Sequence, residues 1–278
     1  MTVSSTTAAD IRLLVLDLDG TIVDQSDHIS DSVAQSLELV KRRGVAVAIA
    51  TGRRYRPSLA AYDLIGSTLP LICYEGGLIR ERNTGFTHRH WPLGPPVLSQ
   101  ILDHTERLSL DGRLSVHFYI EDDLYVSNLN DASRKFFEGS TVVPIVSDLR
   151  PLLNRAVTKV MVLSDDVEII TRLSVHLKNS DSRTRRTVYK SITLLEAFHP
   201  TVNKLLAVRC LAEEMMALRP ENVMAIGDDF SDIEILEYAG IGVAMGNAPA
   251  PVKACADWVT STIEKDGVAQ AVEKWILK

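Results

Sequence analysis

Short uninterrupted apolar runs, separated by stretches with helical spacing, mark both ends of the chain, whereas the middle alternates apolar and polar positions. Leu13–Leu16 is one such run and 45–50 is another, and runs of this kind read as strands of a parallel sheet buried on both faces. Between them Ile29, Val33, Leu37 and Val40 recur at helical spacing, with Ser30 or Ser32 able to cap the start and Gly44 placed to end it. Strand, helix, strand in this order is a βαβ unit, and its right-handed crossover brings both strand ends to one edge of the sheet. The pattern then predicts a short helix after Pro57, a third buried strand over 69–73, and a hairpin of 78–82 and 86–90 around Asn83-Thr84-Gly85.

From residue 92 the texture changes. Pro92, Gly94, Pro95 and Pro96 punctuate the chain, and the alternation over 114–120 predicts a strand with one wet face. Within this stretch we read helices over 97–108, 132–137 and 167–177, and strands over 114–120, 124–127, 142–146 and 157–163, with closing strands in 187–197. Buried α/β texture then returns. A helix runs through Leu205, Val208, Leu211 and Met215, and a strand over 222–226 follows. Ser231 stands three residues before Glu234, a capping-box spacing that predicts a helix starting at Ser231. Short strands over 241–244 and 258–260 and a helix over 268–276 close the chain. The fold class is α/β: a parallel-sheet core from 1–91 and 199–278, with 92–198 inserted as a second α/β domain. No internal repeat or low-complexity segment interrupts this pattern.

Composition narrows the class. At 278 residues and 46% hydrophobic content the chain can bury a sizeable core, and a net charge of -6 argues against a nucleic-acid binder that uses a broad basic surface. The three cysteines, Cys73, Cys210 and Cys255, form no CxxC pair and are odd in number, which reads as free thiols in a reducing compartment. The first ten residues lack the basic start and apolar stretch of a secretory signal, and no segment approaches the ~20 apolar residues of a spanning helix. We therefore expect a cytoplasmic protein with neither membrane nor nucleic-acid partners. Oligomeric state is not legible.

The candidate chemistry lies where the predicted strands end. The first run delivers Asp17 and Asp19, followed by Gly20 and Thr21; the second delivers Thr51-Gly52-Arg53; the strand over 222–226 delivers Gly227-Asp228-Asp229-Phe230-Ser231-Asp232. Taken alone, the first is an ordinary polar turn after a strand. In an open α/β sheet, however, this edge is where ligands bind. Asp17, Asp19, Thr51, Asp228 and Asp232 should converge there, with Lys204 as a neighbour. Two carboxylates ~4 Å apart repel by roughly 4 kcal/mol even at an effective dielectric of about 20. Either some of the four acids are protonated or a divalent cation sits among them, and an oxygen-only donor set favours Mg²⁺, which also binds phosphate oxygens. With a phosphoryl substrate, one carboxylate can attack phosphorus, a second can move the proton, and a hydroxyl and an ammonium can hold the phosphoryl oxygens.

These residues resemble a known family. DLDGT at 17–21, TGR at 51–53, Lys204, and GDDFSD at 227–232 resemble the four ordered motifs of the haloacid dehalogenase-like superfamily. The closing stretch, IGVAMGNAPAPVKACADWVT followed by KDGVAQAVEKW, is similar to its Cof-type (IIB) phosphatases. The resemblance implies a Rossmann-like core with an inserted cap of the C2B type. It implies Asp17 as nucleophile, Asp19 as general acid and base, Thr51 as phosphate ligand and Lys204 as charge clamp, with Gly52 and Asn247 in the phosphate-binding set. Mg²⁺ would be held by the Asp17 carboxylate, the Asp19 backbone carbonyl and Asp228, with Asp232 as ligand or support. Two departures stand out: Ser231 where the family usually has Asn, and Tyr74-Glu75-Gly76-Gly77 where it often has Asn-Gly-Ala.

The function expected is a Mg²⁺-dependent phosphatase acting on a small phosphorylated metabolite, a sugar phosphate, through an aspartyl-phosphate. A phosphomutase of the phosphomannomutase type shares these motifs. A phospho-Asp receiver domain uses similar groups, but the spacing of Asp17 and Asp19 and the large insertion argue against it. A non-catalytic metabolite binder has no need of so complete a set. Gly240, Gly242 and Gly246 lack the GxGxxG spacing of a dinucleotide loop. His88 and His90 have no Cys or acidic partner nearby in the sequence and read as exposed hairpin residues. Arg53, Arg54, His117, Tyr119, Arg183 and Lys190 could contact substrate, but residues of these types more often serve the surface or packing, and none enters the candidate site.

Overall fold

The computed structural model describes residues 10–278 except 25, 109–111, 139, 141, 179 and 190, so the amino-terminal expectation for 1–9 and the reading of Lys190 lie outside the described residues. The chain separates into two compact units, one of residues up to Arg89 together with Asn203–Lys278, the other His90–Val202.

The first unit opens with β1 (Leu13–Leu16), buried throughout. Helix α1 (Asp31–Arg42) follows, with Ser30 accepting the Val33 N–H at 3.2 Å and Val33, Leu37 and Val40 turned inward. After β2 (Ala46–Ile49), α2 (Tyr55–Ile65) begins two residues before Pro57 rather than after it. A proline in the first helical turn lacks only an N–H that would have no intrahelical partner. β3 (Leu71–Cys73), β4 (Leu78–Arg80) and β5 (Thr87–His90) form a separate three-stranded sheet. β3 touches the end of β2 through a bridge between Ala50 and Ile72, where the Thr51 N–H donates to the Ile72 carbonyl at 2.9 Å.

In the second unit α3 (Pro95–Leu108) is followed by β6 (Ser115–Ile120), β7 (Asp123–Val126), α4 (Asp131–Phe136) and β8 (Ile145–Val146). Then come β9 (Val157–Ser164), α5 (Val167–Leu177), β10 (Arg183–Tyr189) and β11 (Ile192–Phe198). The sheet runs β10-β11-β9-β6-β7-β8, antiparallel except where β8 joins β7. Leu98 and Ile101 of α3 and Leu173 of α5 pack on Phe118, Val160 and Leu195 of the sheet. The wet face expected of β6 is absent, since all six of its residues are buried. His117 lies wholly inside, stacked on Phe137 at 5.5 Å, with Nε2 2.9 Å from Ser115 Oγ and 3.3 Å from Ser133 Oγ. Alternation correctly marked the polar positions; the elements that cover them are remote in sequence.

The chain returns to the first unit with α6 (Lys204–Arg209), extended by a π-helical turn Cys210–Met215, then β12 (Val223–Gly227), α7 (Ile233–Tyr238) and β13 (Ile241–Ala244). A helix that the sequence reading did not include, α8 (Ala250–Cys255), precedes β14 (Trp258–Val259) and α9 (Gly267–Val272). The main sheet is wholly parallel, in the order β14-β13-β12-β1-β2. Its register sets Leu16 beside Ile226 and Ile49, so that Asp17, Gly227 and Ala50 leave their strands side by side. Among the described residues no helix is long and apolar enough to cross a membrane.

Burial, with Lys159 adding to it, lowers the His117 pKa from 6.5 to about 3. Below pH 6.5 the unfolded chain takes up a proton that folded His117 refuses until the pH nears 3, so stability is lost as pH falls through that window. We predict a contribution of about 2 kcal/mol to the loss between pH 7 and pH 5. Urea unfolding of wild type and His117→Gln at both pH values checks this: the variant should lose less on acidification, and an equal loss contradicts it.

Candidate active site

β1 continues its ladder through Asp17, whose N–H donates to the Ile226 carbonyl at 3.1 Å. The chain then turns at Gly20, where φ is +82° and a Cβ would collide with the Asp228 carboxylate. That close approach lets Thr21 Oγ1 donate to Asp228 Oδ1 at 2.8 Å. Asn247 closes the same corner: its Nδ2 donates to the Gly20 carbonyl at 2.8 Å and to Asp228 Oδ2 at 3.3 Å, and its Oδ1 accepts the Ile263 N–H at 3.1 Å. Its amide thus ties together the β1 turn, the Asp228 loop and the segment at Ile263.

Asp232 is fully buried, and its Oδ2 accepts the N–H groups of both Asp228 and Asp229 at 3.0 Å. The helix entry therefore lies earlier than the Ser231 spacing predicted. Asp229 precedes a 3₁₀ turn, Phe230–Asp232, and α7 starts at Ile233. Asp232 takes the role expected of Glu234, because its carboxylate reaches the two amides that open the turn.

Lys204 is the first residue of α6, whose start is capped by Asn203 Oδ1 accepting the Leu206 N–H at 2.7 Å. Its side chain is 2% exposed, and Nζ donates to Asp17 Oδ1 at 2.6 Å and Asp232 Oδ1 at 2.7 Å. Burial opposes the ammonium, but Asp17, Asp232 and Glu75 outweigh it and hold the Lys204 pKa above its ordinary value. One ammonium does not balance three carboxylates. Burial, opposed by Lys204 and reinforced by Asp232, pushes the Asp17 carboxyl well above its usual range, and burial pushes Asp228 up to about 6.

Asp17, Asp228 and Asp232 each offer an oxygen, all within 4.8 Å of one another. A hard divalent cation fits this set, because its donors are all carboxylate oxygens and a cation would remove the excess negative charge.

The fourth acid stands apart. The Asp19 side chain, 57% exposed, is gripped by Arg53, whose Nε lies 3.0 and 2.9 Å from its two oxygens and whose Nη2 lies 2.5 Å from Oδ1. Arg53 Nη2 also meets Asp27 at 2.6 Å. The expected convergence of all four carboxylates is thus corrected to three, with Asp19 on a separate guanidinium. Thr51 is buried, its Oγ1 accepting the Arg53 N–H at 3.0 Å, and its carbonyl accepts the Glu75 N–H at 3.1 Å. Sequence reasoning set Arg53 aside, although its place directly after Thr51-Gly52 on the same loop was the available signal. His88, read as lacking an acidic partner, has Nε2 2.9 Å from Glu81 Oε1 across the hairpin.

The family model described as haloacid dehalogenase-like hydrolase matches residues 14–272, and the chain belongs to that family. It is 29% identical over 268 residues to the 5-amino-6-(5-phospho-D-ribitylamino)uracil phosphatase YitU of Bacillus subtilis (strain 168), with 95% of this chain and 97% of that protein covered. A solved haloacid dehalogenase-like hydrolase from Bacteroides thetaiotaomicron matches with a TM-score of 0.83 at 25% identity, over 95% of this chain and 99% of that one. A solved subclass IIB sugar phosphatase of the superfamily has the same fold, with a TM-score of 0.76 at 21% identity, over 95% of this chain and 98% of that one.

Removing the ammonium leaves Asp17 and Asp232 buried and unpaired. Lys204→Met should therefore cost about 3–5 kcal/mol in urea unfolding at pH 7. The deficit should shrink at pH 5, because burial already raises the Asp17 carboxyl and it accepts a proton more readily there. A variant as stable as wild type at pH 7 contradicts this account of the cluster.

Proposed function

We propose that this phosphoric monoester hydrolase dephosphorylates a small phosphorylated metabolite, a sugar phosphate, through an aspartyl-phosphate on Asp17 and with Mg²⁺. The observation that carries the reading is the division between two acids of one short loop: Asp17 is buried against the Lys204 ammonium, whereas Asp19 is half-exposed and held by Arg53. Two carboxylates in such different surroundings suit different tasks. The fixed, dry acid suits attack, and the one in touch with solvent suits proton transfer.

In this mechanism Thr51 Oγ1, the Gly52 N–H and Lys204 Nζ hold the phosphoryl oxygens. An Asp17 oxygen bonds to phosphorus as the bond to the leaving oxygen breaks, and Asp19 in its acid form gives that oxygen a proton. Asp19 then takes a proton from water, whose oxygen bonds to phosphorus while the bond to Asp17 breaks. Phosphate leaves and the Asp17 carboxylate is restored. Mg²⁺, held by the Asp17 carboxylate, the Asp19 backbone carbonyl and Asp228 with Asp232 beside them, would neutralise the carboxylates and the charge on the phosphoryl group. Arg53 must yield part of its grip for Asp19 to reach substrate, so it acts on the orientation of the acid rather than on phosphorus. The sugar-phosphate class draws support from the phosphorylated ribityl group in the name of the Bacillus relative and from the sugar phosphatase of the same fold.

Hydrolysis of p-nitrophenyl phosphate should vanish with EDTA and return with excess Mg²⁺; activity that survives exhaustive chelation contradicts the metal assignment. With a sugar phosphate, inorganic phosphate should appear in step with free sugar, whereas an isomerised sugar phosphate without release contradicts hydrolysis. Asp17→Asn should fold and lose at least about a thousandfold in kcat. Near-wild-type turnover in that variant removes Asp17 as nucleophile.

A further inference from the structure

The turn after β3 carries three successive residues in the left-handed region: Tyr74, Glu75 and Gly76 have φ of 53°, 58° and 96°. For residues with a side chain this region is disfavoured, and neighbouring structure has to hold it. The Tyr74 N–H donates to the Arg53 carbonyl at 2.9 Å and the Glu75 N–H to the Thr51 carbonyl at 3.1 Å. Gly76 lies so close to the Asn203 carbonyl that a Cβ there would collide with it. The turn thus ties the Thr51-Gly52-Arg53 loop to the residue that caps α6 and precedes Lys204.

Glu75 is 8% exposed, and its Oε1 fills the space that a Cβ on Gly52 would need. A carboxylate therefore lies against the middle of the loop assigned to phosphate, near enough to Lys204 to help hold its ammonium charged. The backbone does not ask for glutamate here, because asparagine enters the left-handed region more readily. The carboxylate placed against Gly52 has a charge of the same sign as the group the loop would receive.

We propose that Glu75 is a specificity-determining residue that weakens the phosphate subsite, its negative charge opposing the phosphoryl group held by Thr51, Gly52 and Lys204. The inference rests on the assignment of those three groups under the proposed function. Inorganic phosphate then binds poorly and leaves readily. Because the phosphoryl group alone gives little affinity, the leaving group of the substrate must supply the remainder, and small esters without a matching leaving group stay far from saturation.

The test uses the full chain with saturating Mg²⁺ and inorganic phosphate as the probe, measured both as a competitive inhibitor of p-nitrophenyl phosphate hydrolysis and by titration calorimetry. Glu75→Asn and Glu75→Gln should each bind inorganic phosphate about tenfold tighter, the order expected for removing one nearby like charge. KM for p-nitrophenyl phosphate should fall with it while kcat changes little. Glu75→Asp keeps the charge, tolerates the left-handed backbone, and should keep the wild-type phosphate affinity. A purely structural role would loosen the subsite in all three variants. Neutral variants that bind phosphate no tighter than wild type overturn the proposal. A wild-type protein that neither hydrolyses the ester nor binds phosphate overturns the proposed function and this inference with it.

Discussion

The Lys204 ammonium, 2.6 Å from Asp17 and 2.7 Å from Asp232, is the interaction on which the rest of the core depends. Without it three carboxylates would share a nearly dry space, and their mutual repulsion would act against the sheet register that sets their strands side by side. The lysine reaches them only because α6 begins at residue 204, where Asn203 caps the helix. Asp232 serves the same arrangement from the other side: one oxygen takes the ammonium while the other takes the two amides that open the 3₁₀ turn leading into α7. Charge balance, helix entry and strand order are thus one problem with one solution. The negative excess that Lys204 leaves is what makes the site suited to a divalent cation.

Around this centre the loops share work. Gly20 lets Asp228 approach the β1 turn, and Thr21 and Asn247 then fix that carboxylate. The loop after β2 uses Thr51 to bind its own backbone and Arg53 to hold Asp19 away from the carboxylate cluster. Keeping Asp19 apart spares the cluster the added repulsion of a fourth carboxylate.

Much of this was legible in the sequence because the relevant signals are local. Apolar runs of four to six residues gave β1, β2, β12 and β13, and acids or a Thr-Gly pair directly after a buried run gave the strand ends that carry Asp17, Thr51 and Asp228. Missed features depend on partners distant in the chain. β6 reads as half-wet, yet Ser133 and Phe137 cover His117 from a helix whose contact with it no local pattern reveals. The Ser231 spacing satisfied the capping rule on paper, but Asp232 captures the amides first. Four acids at one sheet edge implied four-fold convergence, whereas three carboxylates come together and the Asp19 side chain is held by Arg53. Glu75 is visible in the sequence as a departure from the family pattern, but its contact with Gly52 joins two loops that only the fold brings together.

In the proposed mechanism Asp17, oriented by Lys204, is the nucleophile that takes the phosphoryl group. Borohydride reduces an acyl phosphate to an alcohol, so enzyme mixed with p-nitrophenyl phosphate and Mg²⁺, acid-quenched during turnover, reduced, digested with trypsin and sequenced by mass spectrometry reports which carboxyl was phosphorylated. Homoserine is expected at position 17, with unchanged aspartate at 19, 228 and 232. Homoserine at another of these positions, or none at all from enzyme shown to accumulate protein-bound phosphate, would contradict it.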